Sequence, residues 1–139
     1  MLPSSDTRKL TGAVTAFTFA WLLVYVPLET YVTLSIAGLH GLVYASYVMN
    51  VVGMGLMLWG AVSARRGQPS APGLLTAGWS WTAATFWRAT SDRFWWISRG
   101  GTLYAGTIEL WLGPIFTALA VMGLAGSLIL VLKPQPRAD

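Results

Sequence analysis

Four runs of apolar residues, each near the length of a membrane-crossing helix, alternate with short polar stretches. A helix needs about 20 residues to cross a hydrocarbon core of roughly 30 Å. The first run predicts a helix from about Thr11 to Leu28, with Pro27 expected to kink or stop it. Gly12, Ala16 and Ala20 recur on it every fourth residue, a stripe along which another helix could approach closely. Residues 29–41 are less apolar and predict a short interfacial helix or an extra turn on a neighbour. The second run predicts a helix from about Leu42 to Val62, with Ser46, Gly53 and Gly60 on one packing face and Asn50 beside them.

Arg65 to Gly73 holds two arginines, two glycines and two prolines, the composition of a turn. Pro72 suits the first position of the third helix, expected from about Pro72 to Thr90. Ser80, Thr82 and Thr85 make this helix the most polar, which suits the inside of a bundle better than lipid all round. Ser91 to Gly101 reads as a charged, aromatic loop. The last helix, about Thr102 to Leu132, would be about 46 Å long and must tilt or project beyond the bilayer. Gly106, Gly113, Ala120 and Ser127 repeat on it every seven residues, favouring left-handed packing, and Pro114 is a place for a bend. The expectation is an all-α fold, an integral membrane four-helix bundle with short loops, forming one transmembrane domain over residues 1–139.

Composition agrees with this. Hydrophobic residues make up 55% of the chain and charged ones 10%, against roughly 25% charged in a soluble domain. There are no cysteines, which excludes disulfides and thiolate chemistry, and one histidine, which excludes bis-histidine haem within a chain. Arg8 and Lys9 before the first run resemble the start of a signal peptide, but no small-residue cleavage site leads into a soluble domain, so the run reads as a retained helix. The net charge of +4 sits almost wholly at segment ends, a topology signal and no reason to invoke nucleic acid. Four crossings place Arg8, Lys9, Arg65, Arg66, Lys133 and Arg137 on one side and Arg88, Arg93 and Arg99 on the other. Six against three favours both termini in the cytoplasm of a bacterial inner membrane.

The same topology gathers Glu29, His40, Arg88, Asp92, Arg93, Arg99 and Glu109 at the non-cytoplasmic end. Glu109 is the sharpest candidate. It lies four residues before Gly113, on the packing face, about two turns into a helix starting at Thr102. A carboxylate there needs a partner or a proton. The reading is either a structural ion pair with Arg88 or Arg93, or a catalytic or binding carboxylate. Arg88 and Asp92 are spaced to pair along one helix, while Arg88 or Arg93 could instead bind an anionic group through the guanidinium fork. Glu29 and His40 could form a general acid–base pair, and His40 could equally be structural. His40, Glu29, Asp92 and Glu109 have ligand chemistry but no metal-site spacing, so no metal is expected and no motif names a cofactor. Trp87, Trp95, Trp96, Tyr104 and Trp111 crowd this end, either as an interfacial belt or as the wall of a pocket for a flat apolar ligand.

Two resemblances attach to particular words. Tyr25-Val26-Pro27-Leu28, the Arg/Gly/Pro turn and Gly78-Trp79-Ser80-Trp81 resemble the small four-helix bacterial membrane proteins of the BphX-like family. That resemblance spans most of the chain and implies an association with aromatic-compound metabolism. Asp92-Arg93-Phe94, followed by a helix with Glu109 and then Gly113-Pro114, is similar to emopamil-binding (EXPERA) proteins. It implies an intramembrane acid, Glu109, handling a proton, although in that family the acid–arginine–aromatic segment follows the first helix.

Two functions fit these residues. One is a protein holding an apolar or amphipathic ligand (lipid, quinone, sterol or aromatic compound) at the outer mouth, with proton transfer at Glu109 if it is an enzyme. The other is an accessory subunit of a larger membrane complex, or a homo-oligomer, suggested by small-residue stripes on three helices. A channel fits less well, because polarity stops halfway across and no inverted repeat is present.

Overall fold

The structure, a computed structural model, describes the backbone of residues 5–36, 42–102 and 107–133 and the side chains of 5–34, 47–102 and 111–133. The described residues form four α-helices: α1 (Ser5–Ile36), α2 (Leu42–Arg65), α3 (Ala71–Ser98) and α4 (Thr107–Leu132). Segments of α1 (Ser5–Leu34), α2 (Tyr47–Arg65) and α4 (Trp111–Leu132) are long and apolar enough to cross a membrane.

Cross-helix contacts fix an up-down-up-down order. Glu29 meets Asn50 and Phe19 meets Arg65, so α1 and α2 are antiparallel. Gly60 lies against Leu75 and Gly53 against Trp81, so α3 runs back along α2. Gly113 lies against Thr90 and Gly123 against Trp79, so α4 runs back along α3. Val14 with Gly126 and Trp21 with Phe116 close the ring between α1 and α4. The diagonal helices have no close backbone approach among the described residues, and large rings fill the space between them. Trp79 on α3 is wholly buried, stacks on Phe17 of α1 and donates from Nε1 to Thr18 Oγ1 at 3.1 Å.

Small residues set the tight contacts. A Cβ on Gly78 would stand 2.8 Å from the Met57 backbone nitrogen, and one on Gly60 2.8 Å from that of Leu75, so α2 and α3 meet at backbone distance. Gly53 and Gly60 on α2, and Gly113, Ala120 and Ser127 on α4, are buried as their spacing predicts; Ser46 and Gly106 lie outside the residues described in full. The α1 stripe behaves differently. Gly12, Ala16 and Ala20 are exposed, and the buried face of α1 is Val14, Thr18, Trp21, Leu22 and Tyr25.

The departures from the sequence expectation are at helix ends. α1 continues through Pro27 to Ile36, so of the two alternatives for this stretch residues 29–36 take the second, as added turns on the first helix. The ring removes one backbone donor, while the rest of the turn stays hydrogen-bonded, with Thr30 Oγ1 donating to the Val26 carbonyl at 2.7 Å. α3 runs on to Ser98, replacing most of the expected loop; the chain turns only at Arg99-Gly100, where Gly100 takes φ +80°. Gly101 and Thr102 are not helical, and α4 is described from Thr107 on, with Glu109 near that described end.

Candidate functional site

The continuation of α1 past Pro27 carries Glu29 and Thr30 alongside the first half of α2. Asn50 Nδ2 donates to Glu29 Oε1 at 2.7 Å, and both residues are half-buried. Tyr25 stands one helical turn before Glu29 on α1, near enough for its hydroxyl to feel the carboxylate. Thr30 Oγ1 and the Tyr47 hydroxyl lie 3.0 Å apart and add a second polar link between the same helices. Glu29 lies in a helix apolar enough to span a bilayer, and no cationic side chain pairs with it among the described residues. The hydrogen-bond partner its carboxylate has among the described residues, the Asn50 amide, is neutral.

Tyr25 also joins this polar group to the interior. Its ring lies 5.5 Å from Trp21 and 5.2 Å from Phe86. Trp21 meets Phe86 and Phe116 edge-on, at 5.6 and 5.5 Å, and Phe86 and Phe116 are 5.5 Å apart. These tilted and edge-to-face arrangements are the ones the ring quadrupole favours. Trp21 continues to Trp79 at 5.5 Å, making a chain of rings from Glu29 toward the middle of the bundle. The indole nitrogens of Trp21 and Trp81 are buried donors without an acceptor among the described residues. A buried unmet donor carries a penalty of about 1–3 kcal/mol.

The sequence candidates distribute as follows. Arg88 and Asp92 do pair along α3, Nε to Oδ2 at 3.6 Å, but at 82% and 70% exposed they sit on its outer surface. Arg93 is half-buried and has a partner of its own. Trp87, Trp95, Trp96 and Trp111 are each more than half exposed and face outward, as belt residues would; they do not line the interior. The rings that meet inside are Phe17, Trp21, Tyr25, Trp79, Phe86 and Phe116. Phe17, Trp21 and Tyr25 recur every fourth residue, a spacing that marks one helix face and was legible in sequence. His40, Tyr104 and the side chain of Glu109 lie outside the described residues. Among the described residues no three His, Asp or Glu side chains gather as a metal site.

No family model, curated protein or solved structure matches the chain. The functional reading therefore rests on the residues themselves.

Proposed function

We propose that the chain is a four-crossing protein of a bacterial inner membrane, with both termini in the cytoplasm. At the opposite end of the bundle it holds an amphipathic ligand (a lipid, quinone, sterol or aromatic compound), anchored at Glu29. α3 is the least apolar helix, yet it has to cross. α2 and α4 run in the same direction, and residues 66–70 reach only about 17 Å when extended, short of the roughly 30 Å core. Among the described residues the helix available for the return is α3.

The observation that carries the ligand reading is the Glu29 carboxylate, bonded to the neutral Asn50 amide with no cation paired to it among the described residues. Ionisable groups inside membrane segments are costly and mark binding or transfer sites by default. The adjoining ring chain supplies an apolar body for the site, and the unmet Trp21 Nε1 supplies a donor for a ligand oxygen. Glu109, near the described start of α4 at the same end, belongs to this reading as a second carboxylate for proton transfer. The test is native mass spectrometry from mild detergent. The wild type should retain a stoichiometric hydrophobic molecule, and Glu29→Gln should lose it. Equal retention by both proteins removes Glu29 from the site.

A second reading, a subunit of a larger membrane complex, draws on α1. A Cβ on Gly12 would meet nothing within 4 Å, and Ala16 and Ala20 are exposed, so none of the described residues packs on the stripe. Co-purification of a larger partner that is lost on Ala16→Leu supports it; a monodisperse chain without partners contradicts it.

A further inference from the structure

Two helices end in the same way at opposite ends of the bundle. After α2, Gly67 (φ +66°) donates from its N–H to the Ala64 carbonyl at 3.1 Å, and Gln68 to that of Ser63 at 2.9 Å. After α3, Gly100 (φ +80°) donates to the Ile97 carbonyl at 2.9 Å, and Gly101 to that of Trp96 at 3.0 Å. Both are Schellman caps, which use a left-handed glycine to satisfy the last carbonyls. Each cap carries an arginine lying on a ring: Arg65 over Phe19 at 4.4 Å and Arg99 over Trp95 at 4.3 Å. Neither guanidinium has a carboxylate or hydrogen-bond partner among the described residues. A stacked guanidinium is fixed in plane while its edge donors stay open to an anion.

Their separation identifies the anion. α3 has 28 residues, about 42 Å at 1.5 Å per residue, and it runs between the two caps. A bilayer measured with its headgroups is about 40–45 Å thick. The two caps thus stand about one bilayer thickness apart, which puts them at the two headgroup regions in the fourfold crossing proposed above. At the α3 cap, Trp95 and Trp96 are half exposed, and Trp96 is fixed by lying over Gly101 and donating from Nε1 to the Thr102 carbonyl at 3.2 Å. The site therefore offers an open cationic fork on the exposed Trp95 ring, with the held Trp96 ring next to it in sequence.

We propose that Arg99 on Trp95 binds the phosphodiester of a phospholipid headgroup, with Arg65 on Phe19 its counterpart in the other leaflet. The inference rests on the bilayer placement given above. Protein in dodecyl maltoside is titrated with short-chain phosphatidylglycerol, with lipid adducts counted by native mass spectrometry. The wild type should hold two, and Arg99→Gln and Arg65→Gln one each, with affinity at the altered site reduced about tenfold. Arg99→Lys should weaken that site as well, because an ammonium cannot stack flat and fork at once. Arg66→Gln, which alters an unstacked cation in the same turn, should leave both. The proposal is overturned if Arg99→Gln keeps two adducts, or if sodium phosphate displaces the lipid at equal concentration. Carbonate washing of membranes tests the placement separately: release of the wild type from the pellet removes it, whereas a retained chain with unaffected variants removes only the headgroup site.

Discussion

Replacing Asn50 by leucine removes the amide that holds the Glu29 carboxylate while keeping the number and branching of side-chain heavy atoms, so the packing term stays small. Two magnitudes compete for the effect. Hydrogen bonds between transmembrane helices average about 0.6 kcal/mol in double-mutant cycles. Bonds to charged groups contribute about 1.5–3 kcal/mol. The 2.7 Å contact is at the short end of the N–H···O range, which favours the larger figure, and half-burial of both residues favours its lower edge. The expected coupling between Asn50→Leu and Glu29→Leu is therefore about 1.5 kcal/mol. It is measured by reversible sodium dodecyl sulfate unfolding in mixed micelles, followed by tryptophan emission, for both single variants and the double. Coupling within about 0.5 kcal/mol of zero, the ordinary scatter of additivity, refutes the claim that Asn50 holds Glu29.

The same titration checks four further variants. Thr18→Val leaves the Trp79 indole N–H without its acceptor in the core and should cost about 1–3 kcal/mol; a loss near zero would mean the bond contributes nothing. Gly78→Ala forces α2 and α3 apart where Met57 crosses and should cost about 1–3 kcal/mol. Gly12→Ala, with open space around it, should cost nothing, and equal effects at the two glycines would contradict the packing. Arg88→Gln breaks only an exposed ion pair and should change stability by less than about 1 kcal/mol; a larger loss would place Arg88 in a tighter site than the structure gives it.

The helices themselves were legible because lipid-length apolar runs leave little alternative. Their ends were less so. Pro27 and Glu29 read as a terminus by local propensity, but the bonds from Glu29 to Asn50 and from Thr30 to Tyr47 reward continuing α1 along α2. Residues 91–98 read as a loop from their charge, yet Arg88 and Asp92 already had the spacing of a helical pair, and the true stop signal was the Gly100-Gly101 cap. The α1 stripe at Gly12, Ala16 and Ala20 was visible, but sequence does not say which of two packable faces the chain uses for itself. The bulkier face, Phe17–Trp21–Tyr25, is the one turned inward, since filling the space between diagonal helices requires large rings. The gathering of charged segments at one end followed from alternation alone. The partner of Glu29 did not, because it depends on the register between α1 and α2, which no local pattern encodes.

The central claim, that α3 crosses the membrane and separates the Arg65 turn from the Arg99 turn, has a direct test. The chain has no cysteine, so single cysteines report position without background. Gln68→Cys and Ser98→Cys are labelled with a membrane-impermeant maleimide in intact spheroplasts and again after lysis. Labelling of Ser98→Cys in intact spheroplasts, with Gln68→Cys labelled only after lysis, is the result expected of a fourfold crossing with cytoplasmic termini. Labelling of both positions from the same side would contradict it.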